Sequence, residues 1–244
     1  MGYDYDAIII GAGVGDLTAA SLMDTEGFKV LVLERLERVG GCCSNYDVNG
    51  FKPEVGAVFV IGHELYSKLF ELLDLPLEEY LDWDIIDPVY QVYFEDGNDV
   101  ALPRDIDEMA RVVRDIAPRD VDGYYRYCRD LGKVQDIITG FTRNPMPEIR
   151  DLTKLSSLAR LFATKAIVPS VPVQMKLGLN NLEKVVKSYF TDPKLQLIFG
   201  WENMYAGLPA HRCFGLFAMI TYMGHMGYFY PKGGMISIPK ALAR

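Results

Sequence analysis

Cysteine and histidine are scarce in this sequence of 244 residues. The four cysteines, at positions 42, 43, 128 and 213, form no C-x-x-C pair, so neither a disulfide scaffold nor a zinc site is expected. No two of the three histidines have ligand spacing on one helix, and we therefore predict no metal centre. Free thiols are the usual state of cysteine in a reducing cytosol, which favours a cytoplasmic protein.

The chain also lacks an excess of positive charge. It carries 25 Lys and Arg against 33 Asp and Glu, and a net charge of -8 would repel a nucleic-acid backbone. We therefore expect no nucleic-acid partner. Hydrophobic residues make up 50% of the chain, which is enough for a globular core and excludes a disordered protein.

Long uninterrupted apolar runs are absent too. None reaches the roughly 18 residues that suggest a membrane-spanning helix. The nearest, Phe214 to Pro231, contains a histidine and several glycines and is predicted as a buried or interfacial helix. The first six residues carry no basic side chain and the Ile run after them is interrupted by glycine, which excludes a signal peptide.

The first 34 residues have the pattern of a βαβ unit. Residues 5–10 predict a buried strand, a glycine-rich turn follows at 11–15, and the apolar spacing from Leu17 predicts a helix ending near Gly27. Lys29 to Leu33 is a second apolar strand. We expect the two strands to be parallel and joined by a right-handed crossover.

The remaining sequence predicts short strands and then mostly helices. We expect a strand at 57–61, a helix over 63–73, and a hairpin of 89–95 with 99–102 around Asp96-Gly97. Prolines separate six further helical patterns, at 105–117, 120–141, 155–167, 181–190, 194–205 and 212–224. The fold class is therefore α/β, with a Rossmann-like βαβ unit followed by a mixed, largely helical region.

The turn Gly11-Ala12-Gly13-Val14-Gly15-Asp16 has the context of a dinucleotide fingerprint, because it follows a strand and opens a helix. Gly11 permits the tight turn, and Gly13 lets a pyrophosphate approach the backbone at the positive end of the helix. Glu34 ends the next strand, where a carboxylate binds ribose hydroxyls. The third glycine of the motif is replaced by Asp16, which adds negative charge near the phosphates. The alternative is a glycine-rich turn with no nucleotide.

A second glycine cluster extends this pattern. It comprises Gly40-Gly41-Cys42-Cys43-Ser44, Gly50-Phe51 and Val55-Gly56-Ala57, and a late Tyr230-Pro231-Lys232-Gly233-Gly234-Met235 element accompanies it. On these motifs the chain resembles the FAD-dependent phytoene desaturase and carotenoid isomerase family, within the wider amine-oxidase-like flavoproteins. The resemblance covers most of the chain and is most specific over residues 6–60 and 230–235.

The resemblance implies an FAD site and a hydrophobic isoprenoid or carotenoid-like substrate. It places the pyrophosphate on the first turn, the adenosine ribose on the acid after the second strand, the phosphates on the second glycine pair, and the isoalloxazine ring near residues 56 and 57. Relatives often carry Arg where this chain has Cys42, and an aromatic-Asp pair where it has Pro53-Glu54. The implied cofactor residues are Gly11, Gly13, Gly15, Glu34, Arg35, Gly41, Cys42, Gly56 and Ala57; no catalytic residue stands out.

The resemblance also implies an incomplete chain, because such proteins are about twice this length. We expect residues 1–80 to be the start of the FAD-binding domain, 81–230 a substrate-binding helical domain, and 231–244 the return to the first domain. A missing half would leave a bare sheet edge and an exposed apolar face, which a partner chain could cover.

Two rival functions and two surface features stay open. A prenyl-binding protein of the Rab escort and GDP-dissociation-inhibitor type, or a flavin amine oxidase, would share this architecture. The apolar residues of 214–223 fit core packing or the wall of a lipid-lined tunnel. The cations of the stretch 150–165 sit among leucines, a pattern typical of a solvated helix face or of docking on an anionic membrane: Arg150, Lys154, Arg160 and Lys165.

Overall fold

The computed structural model describes residues 3–143 and 167–244. The basic stretch 150–165 and nearly all of the helix predicted over 155–167 lie outside these residues. The chain divides into two compact units. Unit 1 comprises Met1–Ile86 and Tyr228–Arg244, and unit 2 comprises Asp87–Gly227.

Unit 1 begins with the predicted βαβ motif. Strand β1 (Ala7–Ile10) and strand β2 (Val30–Leu33) are parallel, and helix α1 (Val14–Thr25) connects them. The two strands are rich in Ile, Val and Leu, as is usual in a parallel sheet. The first strand was predicted as buried, but Ile8 and Ile10 are exposed. Beyond the end of α1, Gly27 has a φ of +86°, a backbone conformation that glycine adopts without a Cβ clash. The prediction of a Rossmann-like α/β fold is confirmed here.

A second sheet of unit 1 joins distant parts of the chain. Strands β3 (Val60–Ile61), β4 (Trp83–Ile86) and β7 (Tyr228–Pro231) form an antiparallel sheet in the order β3-β7-β4. Helix α2 (Glu64–Leu72) follows β3, and helix α9 (Ser237–Leu242) packs on α1. The core of this unit includes Leu17, Phe70 and Ile238.

Two predictions in unit 1 are corrected. The strand expected at 57–61 begins only at Val60, because the Ala57 N–H donates to the Cys42 carbonyl at 3.3 Å and stays in the preceding loop. The apolar run to Pro231 is not one helix, because Gly227 has a φ of +111° and the chain continues as β7.

Unit 2 begins with the predicted hairpin. Strand β5 (Tyr90–Tyr93) pairs with strand β6 (Asp99–Leu102) in antiparallel register. At its turn, Gly97 has a φ of +82°. The hairpin prediction is therefore confirmed; β6 has the predicted bounds, whereas β5 is shorter than the predicted 89–95.

Six helices complete the described part of unit 2. They are α3 (Ile106–Ile116), α4 (Val121–Arg143), α5 (Ile167–Leu179), α6 (Leu182–Lys187), α7 (Pro193–Gly200) and α8 (Ala218–Met223). Helix α5 corrects the sequence interpretation, which treated its prolines as breaks. Pro172 lies inside this helix on an exposed position, while Val173 and Leu177 are buried and hold it against the core.

The last three predicted helices of unit 2 are shorter than expected. Short 3-10 turns at Trp201–Ala206, Gly215–Phe217 and Gly224–Met226 interrupt or extend them. Within the run 214–223, Ala218 and Met219 are buried in the core, whereas Phe214 is 71% and Leu216 54% exposed. Core packing therefore describes only part of the run. No helix in the described ranges is long and apolar enough to cross a membrane.

A buried carboxylate fixes the start of α4 in unit 2. The Asp120 side chain accepts hydrogen bonds from the Thr191 N–H at 2.8 Å, the Thr191 hydroxyl at 2.7 Å and the Asp192 N–H at 2.7 Å. Burial alone would raise the pKa of Asp120, but these hydrogen bonds outweigh it and lower the pKa. The carboxylate thereby ties α4 to the loop before α7.

Candidate functional site

The first glycine turn connects β1 to α1. The Gly11 N–H donates to the Leu33 carbonyl at 2.7 Å, and Gly11 has a φ of +117°, which only glycine adopts readily. Gly13 is the N-cap of α1 and is extended. Consecutive backbone N–H groups therefore point out of the first turn of α1, an arrangement that binds anions.

The second glycine pair packs directly on the first turn. The Gly40 N–H donates to the Ala12 carbonyl at 2.6 Å, and Gly13 and Gly40 form a parallel bridge. A Cβ on Gly41 would lie 3.6 Å from the Gly13 Cα. Gly40 has a φ of +115°, and a Cβ there would lie 2.4 Å from the Cys43 carbonyl oxygen. Gly40 is therefore required by its own turn, whereas a Cβ on Gly41 would make an ordinary contact with the first turn.

Glu34 is held against the first turn by the main chain. Its carboxylate accepts from the Ala12 N–H and the Leu36 N–H, each at 2.8 Å. These hydrogen bonds, that of Leu36 first, lower the pKa of Glu34, and the neighbouring Arg35 contributes in the same direction. Each carboxylate oxygen keeps a second lone pair, so the group could still accept from a ribose diol. The Arg35 side chain itself is exposed.

Asp16 folds back over the glycine turn. Its Oδ2 accepts from the Gly13 N–H at 3.0 Å and would lie 2.8 Å from a Cβ placed on Gly11. The carboxylate therefore uses one of the N–H groups that a pyrophosphate would approach. It leaves Gly15 unobstructed, because a Cβ there would meet nothing within 4 Å. The sequence predicted that Asp16 adds negative charge near the phosphates, but it did not predict this hydrogen bond.

Cys42, Gly56 and Ala57 lie together on the neighbouring loop. Besides accepting from Ala57, the Cys42 carbonyl oxygen would lie 3.1 Å from a Cβ on Gly56. The Cys42 thiol is exposed. Burial, followed by the charge of Glu54, raises the pKa of Cys43 to about 11, so Cys43 is an inert thiol at neutral pH.

Glu54 connects this loop to the late glycine element, a contact that sequence reasoning missed. Its Oε1 accepts from the Tyr230 hydroxyl at 2.7 Å and the Met235 N–H at 2.9 Å. The Cys43 thiol donates to the Met235 carbonyl at 3.2 Å. Gly234 has a φ of +92°, and a Cβ there would lie 2.9 Å from Glu54 Oε1. The motifs of 42–57 and 230–235 were both visible in the sequence, but nothing in it paired them.

The described residues fit a dinucleotide better than a metal ion. Val14 and Gly15 lie in the first turn of α1, where backbone N–H groups have no acceptor within the helix. Gly41 lies beside Gly13, and Glu34 supplies a hydrogen-bond acceptor. No group of three or more His, Cys, Asp and Glu in the described ranges could hold a metal. The fold therefore brings Gly11, Gly13, Gly41 and Glu34 together at one end of β1 and β2.

Comparisons with known proteins agree with this geometry. Residues 9–75 match the model of the NAD(P)-binding Rossmann-like domain. The chain is 30% identical to a zeta-carotene-forming phytoene desaturase of Myxococcus xanthus, an alignment that covers 97% of this chain and 44% of that protein. The predicted resemblance to the phytoene desaturase family is confirmed.

Solved structures with a similar fold include a putrescine oxidase variant and a Rab GDI from Plasmodium falciparum. The first shares 17% identity and a TM-score of 0.55, and covers 98% of this chain and 48% of that one. The second shares 13% identity and a TM-score of 0.55, and covers 100% of this chain and 56% of that one. These likenesses concern the fold alone. The chain spans about half the length of its relatives, 44–46% for the desaturases.

Proposed function

We propose that this chain is the cofactor-binding part of an FAD-dependent oxidoreductase that desaturates or isomerises a hydrophobic isoprenoid or carotenoid-like substrate. The observation that carries the proposal is the meeting of the two glycine turns beside Glu34, at the N-terminus of α1. The similarity to a phytoene desaturase over 97% of the chain supports the proposed substrate class.

The chain's own residues would bind and orient the cofactor. The N–H groups of Val14 and Gly15, with Gly41 opposite Gly13, would hold the pyrophosphate, and Glu34 would accept from the ribose hydroxyls. Gly56 and Ala57 would lie beside the ring system, which supplies hydride acceptance when bound. A carboxylate at position 34 also disfavours a 2′-phosphate, so FAD or NAD-type groups would bind better than NADP.

The proposal includes a second polypeptide segment over the β1–β2 sheet. Ile8 is 61%, Ile10 84% and Leu33 49% exposed, and these side chains share the sheet face that lies away from α1. Parallel sheets are normally covered on both faces. We propose that a partner chain, or further sequence of the same protein, covers this face and completes the enzyme.

Titration with FAD tests the cofactor site directly. Binding to the purified chain should quench flavin fluorescence and raise the thermal unfolding temperature in proportion to ligand concentration. Glu34→Ala should weaken binding about tenfold through loss of a hydrogen-bond acceptor for the diol. Absence of any FAD-induced stabilisation of the wild-type chain would count against the assignment.

A prenyl-binding protein without flavin is the second candidate. The observation that favours it is Asp16, which occupies the Gly13 N–H where a phosphate would otherwise bind. This candidate predicts affinity for a prenylated peptide and none for FAD. The two ligands can be compared on one sample, and the order of their affinities decides between the candidates.

A further inference from the structure

A partly open cleft lies in unit 2 between the β5–β6 hairpin and helices α3, α7 and α8. Most of its walls are apolar, and they include Leu102, Met109, Ile198 and Phe199. The centre of a water-sized group can occupy about 30 Å³ of the cleft, which is room for one or two such groups. The cleft therefore fits the narrow end of a molecule and is too small for a bulky ring system.

The Thr221 hydroxyl is a polar group of the cleft that lacks a partner. Its Oγ1 is buried, and no hydrogen-bonding atom of the described residues reaches it. Thr221 lies on α8, where a threonine hydroxyl can bond to the carbonyl four residues earlier, but this bond is not formed either. Buried polar groups in folded proteins are nearly always hydrogen-bonded, so this hydroxyl indicates a missing partner.

The two other polar side chains among the described residues of the cleft are already hydrogen-bonded. The His225 Nδ1 lies 2.7 Å from the Arg104 carbonyl oxygen, which can only accept, so Nδ1 carries the proton. The His225 Nε2 lies 3.1 Å from the Tyr124 hydroxyl, and the Tyr90 hydroxyl lies 3.2 Å from that of Tyr205. Burial lowers the pKa of His225, which favours the neutral ring.

The cleft suits a neutral oxygen atom. A charged group would be costly to bury against apolar walls. The charge of Asp105, which acts on His225 from outside the cleft lining, would also repel an anion. A hydroxyl is the matching group, because it can donate or accept in the same way as the Thr221 hydroxyl.

We propose that the cleft binds the hydroxyl-bearing end of an isoprenoid alcohol, with Thr221 as its hydrogen-bond partner. The ligand hydroxyl would satisfy the buried Oγ1, and the hydrocarbon behind it would lie against the apolar walls. This site rests on the proposed function for the isoprenoid body and deepens it, because it would favour oxygenated substrates over hydrocarbons. A trapped water molecule is the competing occupant and would give no such preference.

Binding of farnesol and of the hydrocarbon farnesene to the full chain tests the proposal. Trp201 packs edge-on against Tyr90 in the cleft wall, with ring centroids 4.8 Å apart, so its fluorescence reports on occupancy. The substitution Trp83→Phe removes the other tryptophan and gives the parent chain for the assay. We expect farnesol to bind about five- to tenfold more tightly than farnesene, the effect of one hydrogen bond.

Isosteric substitution of Thr221 should remove the preference. Thr221→Val should bind both ligands as the parent chain binds farnesene, whereas Thr221→Ser should retain the preference for farnesol. Thr221→Val should also raise the unfolding temperature without ligand by about 2–4 °C, since it removes a buried hydroxyl that has no partner. Thr25 is the matched control: its hydroxyl donates to the Ser21 carbonyl at 2.9 Å, and Thr25→Val should leave the preference unchanged.

Three results would overturn the proposal. The first is equal affinity of the parent chain for the two ligands, and the second is a preference that Thr221→Val retains. The third is an unfolding temperature that Thr221→Val fails to raise, as expected if a trapped water already satisfied the hydroxyl. FAD titration of the same samples reports on the cofactor site separately. FAD binding without the preference refutes the cleft alone, whereas the preference without FAD binding refutes the flavoprotein assignment alone.

Discussion

Replacing Asp16 with glycine should tighten FAD binding while it weakens the fold. In the structure, the Asp16 carboxylate accepts from the Gly13 N–H at 3.0 Å and lies against Gly11. A bound pyrophosphate would compete for the same N–H and would face the same negative charge. The substitution also restores the third glycine of the dinucleotide fingerprint.

The expected gain follows from one freed backbone donor. A hydrogen bond to a charged group contributes about 1.5–3 kcal/mol, which corresponds to roughly 10- to 150-fold in the FAD dissociation constant. The substitution also destabilises the ligand-free protein, because the hydrogen bond to Gly13 is lost and glycine is a poor helix former. Together these lower the free energy of unfolding by about 1–2 kcal/mol.

Asp16→Asn separates charge from hydrogen bonding. The amide oxygen of the introduced side chain would still accept from the Gly13 N–H, so the unfolding temperature should remain near that of the wild-type chain. Removal of the negative charge alone should tighten FAD binding about three- to tenfold at low salt, with less effect at high salt. The assay is FAD fluorescence titration at two salt concentrations, together with thermal unfolding without ligand. If Asp16→Gly folds but binds FAD no tighter than the wild type, the carboxylate does not compete with phosphate and the proposed site geometry is refuted.

Two further predictions concern carboxylates that accept several hydrogen bonds in the structure. Asp120→Ala leaves two N–H donors and the Thr191 hydroxyl without their acceptor, and should lower the free energy of unfolding by about 2–4 kcal/mol in urea titration. Because the folded-state pKa of Asp120 lies below its ordinary value, its contribution is complete above about pH 4 and is lost as the pH falls toward the folded pKa. The variant should therefore lose less stability than the wild type on acidification, and equal losses would contradict this account. The hydrogen bond to Glu54, with burial second, raises the pKa of Tyr230 to about 12. Glu54→Gln should bring this phenolate titration step back toward about pH 10, as followed by ultraviolet absorbance, with Tyr230→Phe as the control that lacks the step.

The sequence specified the opening βαβ unit because local signals there agree. Apolar strands flank a helix with regular spacing, and the turn between them has glycine where the backbone needs it, at Gly11. The hairpin around Asp96-Gly97 was predictable for the same reason. Glu34 was identified by its place at the end of β2, and the structure shows it hydrogen-bonded to the turn.

Prediction of secondary structure from the local sequence pattern failed where long-range packing decides the conformation. Pro172 has the signature of a helix break, yet α5 passes through it because burial of Val173 and Leu177 offsets the missing hydrogen bond. Strand β7 lies at the end of an apolar run that was predicted as a helix, and it is extended because β3 and β4 pair with it. Such pairings are invisible in a single sequence, since β7 is more than 100 residues away from both partners.

The amino-acid sequence by itself determined the two glycine turns, the acid after β2 and the family resemblance, because each of these depends on residues close together in the chain. Only the tertiary structure decided that the turns at 11–13 and 40–41 touch, that Asp16 accepts from the Gly13 N–H, and that Glu54 holds the element at 230–235. The physical reason is that a glycine turn depends on the conformations open to its own residues, whereas hydrogen bonds between distant segments depend on how the whole core packs.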